Sequence, residues 1–165
     1  TRTQLFRDLE HRFKALIDAG QIQVESRGTR LVMDVKGDFL FDSGRADLRQ
    51  AGKGALMEIA RAMETEPASD GPRRFLVTAS VDDEPLKSKH YESVWDLTTA
   101  RAVTVVRYLV SLGVPATSLT AAGAGSFDPI VPNDSADDRA RNRRVEISLL
   151  GLGGADDAPP AQAAK

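Results

Sequence analysis

The sequence has no cysteine, so it offers neither a disulfide framework nor a thiolate metal site, and redox chemistry says nothing about its compartment. Histidine is nearly as scarce: His11 and His90 are the only two. His11 sits beside Glu10 and Arg12 and reads as a surface residue of a helix. His90 follows the acidic run Asp82-Asp83-Glu84, but Pro85 interrupts that run and no second histidine is near, so the segment reads as a solvated loop rather than a cation site. Adjacent residues of an extended chain face opposite ways, which removes Asp82 and Asp83 as an acid dyad. The serines have no nearby histidine, so nucleophilic hydrolysis lacks its groups. No enzyme and no cofactor are expected. Also missing are a signal peptide and any apolar run of about 18–20 residues, so the chain is expected not to enter or cross a membrane by itself. Neither sign of charge dominates: 22 Lys and Arg stand against 24 Asp and Glu. That balance excludes the broad positive field that nonspecific nucleic-acid binding needs.

What is present suffices for one core. With 165 residues, 41% of them hydrophobic, the chain can form a single globular domain of roughly 100–150 residues with loose ends. Leu5, Phe6, Leu9, Phe13, Leu16 and Ile17 recur at three- and four-residue spacings before Gly20, predicting an amphipathic helix over 1–20. Ile22 to Ser26 and Thr29 to Val35 flank Arg27-Gly28 as a hairpin. Turn formers surround Phe39-Leu40-Phe41. A second helix carries Leu56, Ile59, Ala60 and Met63 and ends before Pro67, ahead of a loop over 69–72. Arg74 to Val81 is apolar enough for a central strand covered by helices, and the loop Asp82 to Ser93 follows it. Ser93 and Asp96 form a capping pair opening a helix that Gly113 and Pro115 stop. Leu119 to Ala122 is a short strand, Ser126 to Asn142 a long loop, and Arg144 to Leu150 the last strand. Residues 151–165, rich in Ala, Pro, Gly and Asp, are expected to be disordered. The resulting fold class is α+β: a mixed sheet with helices on one face, residues 21–150, preceded by the N-terminal helix.

One residue stands out against this pattern. On a helical wheel Arg101 falls within the arc of Val94, Leu97, Thr98, Val105, Tyr108, Leu109 and Leu112, which faces the core. Val103, Val106 and Val110 lie elsewhere, so the helix is expected to be buried on two sides. A guanidinium cannot shed its charge there and is costly to bury alone, so it needs a fixed acid or an anionic ligand. Spacing leaves both open. Asp82, at the carboxyl end of the central strand, is placed to meet the start of the Arg101 helix, since ligands of such layouts sit in loops beyond strand ends. A guanidinium fork and a carboxylate together fit the zwitterionic head of an amino acid. Trp95, at the start of the helix, is expected to seal the loop Asp82 to Ser93 against the domain, with stacking on a sugar ring as the alternative. Asn142-Arg143-Arg144, preceded by Asp137 and Asp138, reads as an internal salt-bridge corner. Gly123-Ala124-Gly125 reads as a turn where chain and sheet approach closely.

The stretch Trp95 to Val114, followed by Leu119 to Leu150, resembles the OmpA-like peptidoglycan-binding domain, most of all its MotB-type version. The resemblance covers about Gly37 to Leu150. It rests on FDSGRADL in the early loop, an aspartate after the central strand, W-D-L-T-x-x-R-A on the helix, the Gly123-Ala124-Gly125 turn, Asn133-Asp134, and N-R-R-V-E-I at Asn142 to Ile147. It implies a βαβαβ sandwich that binds peptidoglycan noncovalently through the meso-diaminopimelate of the stem peptide. By position, Asp82 would accept the ammonium and Arg101 would grip the carboxylate. Asp42 matches the loop aspartate beside the site, and Arg143 matches a buttress or rim residue. The family context implies a periplasmic domain of a Gram-negative envelope protein, with a lipidated cysteine or a transmembrane helix upstream. The first helix would then act as stalk or as the contact of a homodimer. Two departures stand out. Ala79-Ser80-Val81-Asp82 replaces the usual Gly-His-Thr-Asp, which removes a hydroxyl and crowds a close backbone approach at 79. Val94 replaces an asparagine, removing an amide. Each lost polar contact is worth on the order of 0.5–1.5 kcal/mol. The alternative implied is a structural or protein-interaction domain that keeps the fold and has lost the ligand.

Overall fold

In a computed structural model of the chain, which describes residues 2–64 and 73–150, a hairpin of β1 (Ile22–Arg27) and β2 (Arg30–Lys36) begins a five-stranded sheet. β3 (Arg74–Ser80), β4 (Leu119–Gly123) and β5 (Arg144–Leu150) complete it in the order β1-β2-β5-β3-β4. Only β3 and β4 run parallel, and the helix between them provides the crossover that parallel neighbours require. The strand nearest the C-terminus therefore occupies the centre. β3 lies between β5 and β4, an interior position, in keeping with its apolar sequence.

Strand register explains the layering. Val24, Met33, Ile147, Val77 and Ala121 are successive partners across the sheet, and so are Leu31, Leu149, Phe75 and Leu119. Because side chains alternate along a strand, these rows face one way, and apart from the exposed Ala121 of the edge strand they form the floor of the core. Against that floor α1 (Arg2–Arg12) packs Leu5 and Leu9, α3 (Gly37–Leu40) packs Leu40, α4 (Gln50–Glu64) packs Leu56, Ile59 and Met63, and α5 (Val94–Ser111) packs Ala102, Val105 and Leu109. The first predicted helix is two pieces. The chain passes through Phe13, whose ψ is 11°, into α2 (Lys14–Asp18), and the Phe13 ring is buried in the core. The opposite face of the sheet buries Asp34, Arg144, Glu146 and Ser148 together with Val32, and Arg144 donates there to the Asp128 carbonyl of the loop that follows β4.

Three expectations are corrected. The segment 126–142 is not all loop: α6 (Ala136–Asn142) ends it. Ser135 caps this helix by accepting from the Asp138 amide, acids fill its first turn and Arg139 and Arg141 its last, so capping and charge form a helix that has no apolar period. Helix α5 is less buried on its second side than expected: Val103 and Val110 are exposed, while Val106 is partly buried against the core. Trp95 does not seal the 82–93 loop. It is half exposed and stacks on Phe127, ring centroids 5.0 Å apart. The predicted loop at 69–72 and the tail 151–165 lie outside the described residues.

Candidate functional site

Three connections converge at one end of the sheet and leave a cleft of about 560 Å³ between them. The first is α3 with the loop behind it, carrying Asp38, Phe41, Asp42 and Gly44. The second is the loop after β3, carrying Asp82. The third is the residue before β5, Arg143. Helix α5 closes the back with Val94, Leu97 and Arg101. Its N-terminus is fixed by Ser93, whose hydroxyl accepts from the Asp96 amide at 3.1 Å and donates to the Asp96 carboxylate at 2.9 Å. Asp82, Arg101, Asp42 and Arg143 all line this cleft.

Arg101 lies two turns into α5 and is 5% exposed. Its Nε donates to the Arg45 carbonyl at 2.8 Å and its Nη2 to the Asp42 carbonyl at 3.1 Å. The guanidinium carbon stands 4.8 Å from the Phe41 ring centroid, a cation–π distance. Among the described residues no carboxylate forms an ion pair with it. Burial pushes its pKa down to about 10, with Asp38 opposing that shift and Arg143 adding to it. At neutral pH the group is therefore still a cation, held by carbonyl dipoles and a ring face. A desolvated charge without a directly paired acid is costly to keep, which makes this guanidinium a candidate partner for an anion.

The acidic side is organised differently. Asp82 is buried. One of its carboxylate oxygens accepts from the Glu84 amide at 3.1 Å, and the other accepts from Nη1 of Arg143. The remaining edge of Arg143 grips Asp38 in bidentate fashion, at 2.8 and 2.9 Å. These bonds, led by those to Asp38, raise the Arg143 pKa above the ordinary guanidinium value. Asp38, Arg143 and Asp82 together carry one net negative charge, facing the single positive charge of Arg101. Asp42 contributes its carbonyl to Arg101, while its side chain turns outward to an ion pair with Arg49 at 3.6 Å. The salt-bridge corner at 142–144 uses partners other than Asp137 and Asp138. Arg143 reaches Asp38 and Asp82, and Arg144 reaches Glu146 and the loop at Asp128. Sequence reasoning missed Asp38, which lies 105 residues from Arg143 and owes its place to the Gly37 amide donating to the Arg143 carbonyl at 2.7 Å. The N-R-R motif carried no sign of that contact.

The two departures fall in different places. Val81 and Val94 line the cleft and make part of its wall apolar. Ala79 points into the hydrophobic core, so its extra methyl does not crowd the cleft. The loop containing Asp42 is docked on the loop after Asp82 through Gly44, whose carbonyl accepts from the Ser88 hydroxyl at 2.8 Å. Gly44 has φ of +67°, and a Cβ there would stand 2.3 Å from the Lys87 carbonyl oxygen. Gly44→Ala is therefore expected to lower unfolding free energy by about 1–3 kcal/mol and to disturb the cleft, measured by urea denaturation and by ligand titration on the same sample.

The family model described as "OmpA family" matches residues 40–143. Motility protein B of Bacillus subtilis (strain 168) is 29% identical over 137 residues, 82% of this chain and 51% of that protein. The chain spans about half the length of the curated relatives it matches. Among solved structures, the cell wall anchor of the T6SS from Pseudomonas aeruginosa superposes with a TM-score of 0.76 at 35% identity, covering 86% of this chain and 95% of the other. A MotB like protein from Desulfovibrio vulgaris superposes at 0.80 with 26% identity, covering 89% and 92%.

Proposed function

The chain belongs to the OmpA family, and we propose that it binds peptidoglycan noncovalently by taking the diaminopimelate end of a stem peptide into the cleft. The carboxylate of that end meets Arg101 and its ammonium meets the Asp82 side. The observation that carries this reading is the state of Arg101: a buried guanidinium with carbonyl and ring partners but no acid, opening on the same cleft as a carboxylate cluster with one surplus negative charge. A zwitterionic head matches both halves, and binding needs no covalent step. The relatives named above as a motility protein and a cell wall anchor support placing such a domain in the bacterial envelope, on the wall side of a membrane.

A second reading has its own support. Val81 and Val94 remove polar groups from the wall of the cleft, and Arg143 already occupies Asp82, so the domain could serve as an assembly part without a wall ligand. Sedimentation with purified sacculi separates the two. Wild type is expected to pellet while Asp82→Ala and Arg101→Ala stay in solution. Equal behaviour of all three supports the assembly reading.

The same geometry makes Val94→Asn informative, because this side chain lines the cleft one turn above Leu97. An amide there is expected to tighten binding of diaminopimelate about three- to tenfold in calorimetric titration, the gain of one well-placed hydrogen bond. An unchanged affinity would show that the missing amide does not limit binding.

A further inference from the structure

Beside the cleft, Trp95 and Phe127 form a stacked pair that is open to solvent, 50% and 67% exposed. They are the two most exposed large hydrophobic residues among those described. Single exposed apolar residues are common, but here two rings stack on each other and present one ordered apolar face to solvent. The pair is built. Both rings lie over Gly125, where a Cβ would stand 3.0 Å from the Phe127 ring and 3.4 Å from the indole. Gly125 has φ of +62°, its amide donates to the Thr98 hydroxyl at 3.0 Å, and its carbonyl accepts from the Val81 amide at 3.0 Å. Thr98 lies on the helix that carries Arg101, and Val81 immediately precedes Asp82, so the rings are tied to both halves of the cleft.

We infer that this aromatic pair is a second subsite that holds the amino-sugar rings of the glycan strand to which the stem peptide is attached. The inference rests on the reading of the cleft as a peptidoglycan site and extends it from peptide to polymer. Aromatic faces carry negative potential and accept the polarised C–H face of a pyranose, while the rim supplies acceptors for its hydroxyls. That rim is acidic and exposed, with Asp96 at the start of α5 and Asp128 beside Phe127, which suits a hydroxyl-bearing ring better than an apolar protein side chain. Spacing agrees as well. Arg101 lies six positions beyond Trp95 on α5, about 9 Å along the axis. Diaminopimelate stands third in the stem, so an extended peptide leads from its sugar to the cleft over about 10 Å.

The test uses the whole chain with three probes: the diaminopimelate tripeptide, the same tripeptide on its disaccharide, and glycan strands stripped of peptide. Trp95 is the single tryptophan of the chain, so sugar binding can be read from its emission as well as by calorimetry. Wild type is expected to bind the disaccharide-peptide about five- to tenfold more tightly than the peptide. Trp95→Ala and Phe127→Ala should erase that increment and leave tripeptide affinity and melting temperature unchanged, while Trp95→Tyr keeps most of it. Peptide-free glycan should shift the emission of wild type and of Arg101→Ala but not of Phe127→Ala. An increment that survives both alanine variants, or emission indifferent to glycan, overturns the subsite. Tripeptide that fails to bind while glycan still shifts the emission sinks the cleft reading and leaves the aromatic subsite standing.

Discussion

Replacing Arg101 with lysine is expected to weaken diaminopimelate binding about 30- to 1000-fold while moving the melting temperature by only a few degrees. The charge is kept, so a purely electrostatic role would predict a small loss. Arg101 instead uses a rigid fork: Nε and Nη2 are committed to the Arg45 and Asp42 carbonyls, and the plane rests on Phe41. These contacts hold the remaining donors toward the cleft. An ammonium on a flexible stem must choose between the carbonyls and the ligand, and it cannot present two parallel donors to a carboxylate. Losing one partner of a desolvated charge pair costs about 2–5 kcal/mol. Calorimetric titration measures the loss. If Arg101→Lys binds within a factor of three of wild type, Arg101 is not the carboxylate grip.

Asp34→Asn is expected to make the domain more stable above pH 7 and to leave it nearly unchanged at pH 4. Asp34 is buried on β2 directly opposite Glu146 of β5, and like charges facing each other across a ladder oppose folding. Burial first, and Glu146 second, push its carboxyl from 3.8 up to about 7. The folded protein therefore binds this proton more tightly than the unfolded chain, and stability falls as pH rises from about 4 to about 7. An amide of the same shape has no proton to lose, so the variant escapes that decline and gains on the order of 2–4 kcal/mol above the window. Urea midpoints recorded from pH 4 to pH 8 should diverge with increasing pH. Parallel curves would mean that Asp34 remains ionised in the folded state at low cost.

The parts of this molecule that can be read from sequence are those governed by local period and local chemistry. Arg101 announced itself because one cation sat within an arc of Leu97, Val105 and Leu109, and the helix that buries them also buries it. The hairpin around Gly28 and the Ser93–Asp96 cap were legible for the same reason. Helix α6 was not, because Ser135 and a sequence of charges form it without an apolar stripe. The long-range features were also hidden. Nothing near Asp38 signals Arg143, nothing in W-D-L-T signals Phe127, and the backbone carbonyls that hold Arg101 leave no mark in the side-chain pattern of their loop. Asp82 and Arg101 are suggested as a pair by strand-end and helix placement, and again by the family resemblance. It did not supply the cation that Asp82 already holds.

The placement of β5 has a consequence for synthesis. β2 finds its second neighbour, and β3 its antiparallel one, only in residues 144–150. Until those residues leave the ribosome, the first hairpin and the β3–β4 pair share no ladder, and Arg143 has no fixed place beside Asp82. Pairing of β5 with β2 and β3 joins segments distant in the sequence, a long-range closure of the kind that slows folding. Without β5 the two halves of the sheet share no ladder, and the cleft, which needs Arg143 beside Asp82, cannot assemble.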